Sequence, residues 1–100
     1  MTSEPEAIPS PTDKDVVWHQ AIDGGVYTAV VIYRDPDDAR FGIFRVWETE
    51  TQTLLHKTPV GITYGALFGP SDEDVTDWQY WALDAIDNPE TRVIWTPEHA

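Results

Sequence analysis

Carboxylates and two large aromatic rings recur at helical spacing in the last third of the sequence, so that they share one side of a helix. We name this set the acidic-aromatic helix face; it consists of Glu73, Asp77, Tyr80, Asp84 and Asp87, with Trp81 on its flank. Carboxylates attract arginine and lysine, and tyrosine and tryptophan are enriched where proteins bind one another. The pattern therefore predicts a partner-binding face for a basic protein.

Two of these carboxylates stand where a helix does not favour them. Asp84 and Asp87 lie near the negative end of the helix dipole, where each carboxylate costs about 0.3–1 kcal/mol. Residues 72–87 contain no lysine or arginine that could relieve them. Because the helix dipole disfavours these two carboxylates, their presence favours a docking function. The alternative interpretation is an ordinary solvated face whose rings fold over the margin of a sheet.

The function predicted from this face is that of a small adaptor or inhibitor that acts by binding another protein. In a narrower form of the hypothesis, the carboxylates imitate the phosphates of nucleic acid and occupy the basic groove of a nucleic-acid-binding protein. Arginine sites built for phosphate also accept carboxylates. Small proteins of viral or mobile-element origin that disable host machinery fit this size and charge by analogy.

The composition favours a basic partner and argues against others. Eighteen Asp and Glu against six Lys and Arg give a formal net charge of -12. Direct binding to nucleic acid or to anionic membranes depends on basic residues and is therefore not expected. No apolar run is long enough to span a bilayer and no secretory signal opens the sequence, so we expect a cytoplasmic protein.

Other chemistry finds little support in the residue pattern. The EF-hand pattern fails after Asp35, because its sixth position is Arg40 where glycine is required. His19 and His56 fall on predicted strands, but two imidazoles without a third ligand do not define a metal site. The acids at residues 72–74 are explained by a helix start. We therefore expect no catalytic residue, no metal and no cofactor; an enzyme that holds a cationic small molecule against tryptophan is the remaining alternative.

The helix that carries the face has a strong start signal. Ser71 is placed to cap it three residues before Asp74, and an acidic first turn suits the helix dipole. The pattern predicts a helix over Asp72–Asp87 that Asn88 and Pro89 end. Its apolar stripe should pack on a sheet and consists of Val75, Trp78, Ala82, Ala85 and Ile86, with Leu83 at the margin.

The sheet is predicted from β-branched and aromatic segments that turn residues separate. Asp23-Gly24-Gly25 supplies a hairpin turn, and Pro59 ends the fourth strand or places it at a sheet edge. Residues 60–69 are interpreted as an irregular connector, and residues 92–95 add a fifth strand or lie against the core. The four main strands are expected at residues 16–22, 26–34, 41–48 and 54–58.

These elements predict one α+β domain over residues 16–97, with an antiparallel sheet of four to five strands and the C-terminal helix packed on one face. An acidic, proline-rich tail over residues 1–15 should be disordered, and residues 98–100 should form a loose C-terminus. The alternative to an adaptor is a structural or assembly subunit that forms a homodimer or larger homo-oligomer through an aromatic sheet face. Its rings would be Trp18, Tyr27, Tyr33, Trp47 and Trp95.

Overall fold

The computed structural model describes residues 7–35, 37–63 and 70–96. Predictions for four stretches lie outside the described residues, namely residues 1–6 of the tail, residue 36 and the connector residues 64–69 within the domain, and residues 97–100 at its C-terminal end.

Part of the predicted tail contacts the sheet. The Tyr33 N–H donates to the Asp15 carbonyl at 3.0 Å, and the Ile8 N–H donates to Gln52 Oε1 at 3.4 Å. Both bonds are exposed or peripheral contacts that leave much of the segment in water. The disorder of residues 1–15 stays a prediction.

Four antiparallel strands form one sheet in sequence order. They are β1 (Val16–Ile22), β2 (Tyr27–Asp35), β3 (Asp38–Glu48) and β4 (Thr53–Gly61). The turn between β1 and β2 needs left-handed backbone, with φ of 66° at Gly24 and 98° at Gly25. Glycine adopts these angles without steric cost, so the turn is short and the two strands pair directly. The predicted antiparallel sheet is confirmed.

Strand β4 extends further than its sequence indicates, because it continues through Pro59 to Gly61. Lys57 directs its backbone N–H and carbonyl away from β3, where they bond to Val93 and Trp95. Strand geometry turns Pro59 the same way two residues later. The missing N–H of proline therefore removes no bond from the β3–β4 ladder, and Pro59 is tolerated on this edge strand.

A short segment, residues 93–95, lies along the outer edge of β4. It forms one parallel bridge between Lys57 and Ile94. The Lys57 N–H donates to the Val93 carbonyl at 2.6 Å, and the Trp95 N–H donates to the Lys57 carbonyl at 2.9 Å. The optional fifth strand is thus reduced to a single bridge, which still covers part of an edge that would otherwise be open.

Helix α1 (Asp72–Asp87) follows the sheet, and its predicted capping box is confirmed. Ser71 Oγ accepts from the Asp74 N–H at 3.0 Å, and Asp74 Oδ2 accepts from the Ser71 N–H at 3.2 Å. Asp74 also accepts from the N–H and the hydroxyl of Thr63, both at 2.8 Å. Burial, the largest single influence, raises the pKa of Asp74, but the hydrogen bonds from Thr63 and Ser71 together outweigh it and lower that pKa. The carboxylate links the start of α1 to Thr63, two residues after the end of β4.

The apolar stripe predicted for α1 packs on the sheet. Trp78 is 1% exposed, and its ring lies 5.8 Å from that of Trp18 on β1. Trp18 in turn stacks on Phe44 of β3 at 6.5 Å. This layer stabilises the fold by removing apolar surface from water. Its buried members are Ile22, Ala29, Val31, Phe44, Val46, Ile62, Trp78 and Ala82.

The sheet face away from α1 is covered as well. Val30 and Trp47 are fully buried, and the alternation along β2 and β3 places them opposite the helix side. Arg34 lies over the ring of Trp95, with 5.5 Å between the guanidinium carbon and the ring centroid. The segment at the outer edge of β4 therefore also reaches across to this second face.

Gly42 provides a test of the packing between β3 and its neighbours. A Cβ added to this buried residue would lie 2.7 Å from Val31 Cγ1 and 3.1 Å from the Ile32 carbonyl oxygen. Overpacking of this kind costs about 1–3 kcal/mol, so Gly42→Ala should lower the free energy of unfolding by that amount in urea denaturation. Gly61→Ala is the matched control, because a Cβ there meets nothing within 4 Å; it should be neutral or stabilising by up to about 1 kcal/mol. Equal losses in both variants would contradict the packing described.

A second test concerns the anchor at the start of α1. Asp74→Ala removes the acceptor for Ser71 and Thr63 and should lower the free energy of unfolding by about 1–3 kcal/mol. Asp72→Ala removes the same charge from the same turn, and among the described residues the Asp72 side chain takes no hydrogen bond. Its expected cost is below about 1 kcal/mol. Urea denaturation of both variants measures the difference, and an equally large cost of Asp72→Ala would show that charge alone matters at this end.

Candidate functional site

The structure places one ring of the acidic-aromatic helix face in water and leaves the other partly covered. Tyr80 is 70% exposed and Trp81 is 42% exposed. The four carboxylates are exposed too, apart from Asp84, which is half-buried. The opposite side of α1 carries the buried residues that pack on the sheet, so the predicted set and the packing stripe occupy different sides of one helix.

No basic side chain forms an ion pair with these carboxylates in the part of the chain that the structure describes. The ion pair found there joins Arg40 to Asp38 at 2.9 Å, and hydrogen bonding from Arg40 lowers the pKa of Asp38 to about 2. Arg92 approaches the end of α1, but its Nε donates to the Ala85 carbonyl at 2.7 Å. The carboxylates of α1 form no ion pair among the described residues and present a negative field to solvent, with the charge of Arg92 near the C-terminal end of the helix.

Trp81 and Asp84 differ from the rest of the face because they turn toward β4. The Trp81 ring meets Phe44 at 6.3 Å with the two planes at 84°, an edge-to-face contact. Asp84 Oδ1 accepts from Asn88 Nδ2 at 2.9 Å, and the Asn88 N–H donates to the Asp84 carbonyl at 2.8 Å. These bonds give Asp84 a local role at the helix end that its position in the sequence does not reveal.

A cleft of about 450 Å³ lies between this part of α1 and β4. Its volume falls within the range of small-ligand sites. Asp84 is the charged residue among the described ones that line it. The lining residues used below are His56, Thr58, Pro59, Trp81, Asp84 and Thr91.

His56 lines the cleft from β4 and is only 9% exposed. Its Nδ1 accepts from the Val93 N–H at 2.9 Å, so the neutral ring carries its proton on Nε2. Burial lowers the pKa of His56 from its usual 6.5, the charge of Arg92 lowers it further, and Asp84 opposes both. The ring is therefore neutral at pH 7 and holds the segment at residues 93–95 against β4.

The two strand histidines do not come together. His19 and His56 lie on the outer strands β1 and β4, about 14 Å apart at the usual strand spacing, and the register turns them to opposite faces of the sheet. Over residues 7–35, 37–63 and 70–96, no group of three His, Asp or Glu side chains could hold a metal ion. No helix in those ranges is long and apolar enough to cross a membrane.

Comparison of the chain with protein-family models, with curated proteins and with solved structures finds no match. Function must therefore be inferred from the chemistry of the site.

Sequence reasoning finds the helix side of the site and misses the strand side. It excludes His56 from a metal site and ends β4 near residue 58, so the wall opposite Trp81 is absent from the prediction. The alternation of His56, Thr58 and Val60 does place these side chains on one face. The pattern carries no signal for which end of α1 that face would meet.

The hydrogen bond between His56 and Val93 makes stability depend on pH. Protonation places a hydrogen on Nδ1, where it faces the Val93 N–H, so the folded chain resists it more than the unfolded chain. The contribution of this bond to the free energy of unfolding should be retained above pH 6.5 and should fall as the pH decreases below that value. His56→Asn keeps an acceptor near the position of Nδ1 but does not titrate.

Urea denaturation of the wild type and of His56→Asn at about pH 7.5 and about pH 5.2 measures this effect. The wild type should lose stability relative to the variant at the lower pH. A difference between the two proteins that does not change with pH would contradict the assignment.

Proposed function

We propose that this protein is a small adaptor or inhibitor that binds a basic protein through the acidic-aromatic helix face. The observation that carries the proposal is the exposure of Tyr80 and Trp81 among carboxylates that form no ion pair with a described basic side chain. Exposed tyrosine and tryptophan provide large contact area at low entropic cost, and the surrounding charge steers a cationic partner toward them.

Assembly through an aromatic sheet face receives less support. Trp47 is fully buried, and the other four rings of that set are partly buried within the chain itself. Rings that the chain already covers offer little new apolar area to a second copy. The helix face is therefore the preferred contact, and the oligomeric state stays a prediction.

A narrower form of the proposal is that the partner's groove normally holds nucleic acid and that the carboxylates of α1 take the place of phosphates. Its support is the charge of the face and the geometry by which arginine accepts either group. Under this form, added double-stranded DNA should compete with the protein for its partner. If DNA does not affect binding of the partner, nucleic-acid mimicry is contradicted, whereas the adaptor function is not.

Capture from a lysate of the producing cells, followed by mass spectrometry, tests the proposal with three proteins. The wild type should retain a basic protein, and Asp77→Asn combined with Tyr80→Ala should retain it at least about tenfold less. The control combines Glu50→Gln with Val26→Ala, which removes one charge and one exposed apolar side chain far along the chain from α1.

The control should capture the same protein as the wild type, and capture should weaken as salt rises from about 50 to about 300 mM because the charges are exposed. Loss of the captured protein in the control as well as in the helix variant would contradict a specific role for the face. An identical set of captured proteins for all three would remove the proposal.

A further inference from the structure

The cleft between α1 and β4 offers hydrogen-bond acceptors that the fold leaves unused. Asp84 engages Oδ1 with Asn88, and among the described residues no donor reaches Oδ2. The Pro59 carbonyl points away from β3, for the reason given for Lys57, and takes no bond from the described residues. The Thr58 hydroxyl on the same strand also lacks a partner among the residues described.

The chemistry of these groups selects a ligand that donates and carries positive charge. A carboxylate, a carbonyl and a hydroxyl can all accept, and Asp84 supplies the formal charge of the described lining. Arginine has five N–H donors and no acceptor. The Nε2–H of neutral His56 is instead a donor, and it could donate to the backbone carbonyl of the same arginine.

Trp81 adds a second element of recognition. Its ring forms part of the cleft lining and remains 42% exposed, while its edge-to-face contact with Phe44 in the core fixes its position. A planar guanidinium stacks on tryptophan more favourably than an ammonium does, and a nearby carboxylate strengthens the pair. This combination favours arginine over lysine as the occupant.

We propose that the cleft receives an arginine side chain of the basic partner, with its guanidinium stacked on Trp81 and bonded to Asp84. The inference rests on the proposed function for the source of the arginine, because a chain of net charge -12 attracts basic proteins. The Arg92 side chain does not occupy the cleft, since its Nε is engaged with the Ala85 carbonyl and the residue does not line the cleft. Its charge reaches His56, where Asp84 opposes it.

A titration followed by ¹H–¹⁵N NMR tests the site without knowledge of the partner. The probe is the peptide acetyl-Gly-Arg-Gly-amide, and its control is the same peptide with citrulline, which has the same shape without the charge. At about 150 mM salt, where loose charge attraction is screened, the arginine peptide should shift the Gly61 amide and the Trp81 indole N–H saturably. The citrulline peptide should not.

Two variants of α1 separate the cleft from general acidity. Asp84→Asn removes the charge inside the cleft but keeps an amide oxygen for Asn88, and it should weaken the arginine peptide by about tenfold or more. Asp87→Asn removes the same charge one turn away on the exposed side, and it should change binding by less than about twofold. Equal weakening by both variants, shifts spread along the whole helix, or equal binding of citrulline would each overturn the assignment.

The failures of the two proposals can be told apart. If Asp77→Asn with Tyr80→Ala abolishes capture of a basic protein while Asp84→Asn leaves it intact, the helix face binds a partner and the cleft assignment is wrong. If the arginine peptide binds as described but no captured protein depends on Asp77 and Tyr80, the cleft stands and the proposed function falls.

Discussion

The buried ring of Phe44 is the contact on which the arrangement of the site depends. From the centre of β3 it stacks on Trp18 of β1, meets His56 of β4 and supports Trp81 of α1. Phe44 is 0% exposed, so its position is fixed by the core and not by solvent. Phe44 therefore positions His56 on one wall of the cleft and Trp81 on the other, although it does not itself line the cleft. The packing of the core thus determines the geometry of this surface.

Two groups of carboxylates in the chain have different physical roles. Asp74 and Asp38 are hydrogen-bonded, and their pKa values are lowered because those bonds favour the charged form. Glu73, Asp77 and Asp87 stand in water without a basic partner in the described part of the chain. The first group stabilises turns and the helix start. In the second, Glu73 lies in the first turn, where the helix dipole favours it, whereas Asp77 and Asp87 contribute nothing to the fold that the structure reveals. That contrast is what singles out the helix face.

Local signals in the sequence predict the elements well, and they fail where a distant contact decides the outcome. The capping box at Ser71 and the stripe of α1 depend on spacing within one helix, so both were recoverable. The length of β4 could not be predicted, because a proline ends a strand unless its nitrogen faces away from the partner strand. The cleft was missed for the same reason. It arises only when β4 and the end of α1 lie side by side, and Asp84 acquires its half-buried setting from that meeting.

The exposure of Trp81 has a spectroscopic consequence. The chain contains five tryptophans, and Trp81, at 42% exposure, is the most exposed of them. The other indoles are sheltered to differing degrees within the fold. A collisional quencher added to the native protein will therefore act first on the fluorophore that borders the cleft, and a neutral quencher will do so more readily than iodide, which the negative charge of the molecule repels. Trp81 is thus an intrinsic fluorescent reporter at the edge of the cleft, and no dye has to be attached to the protein.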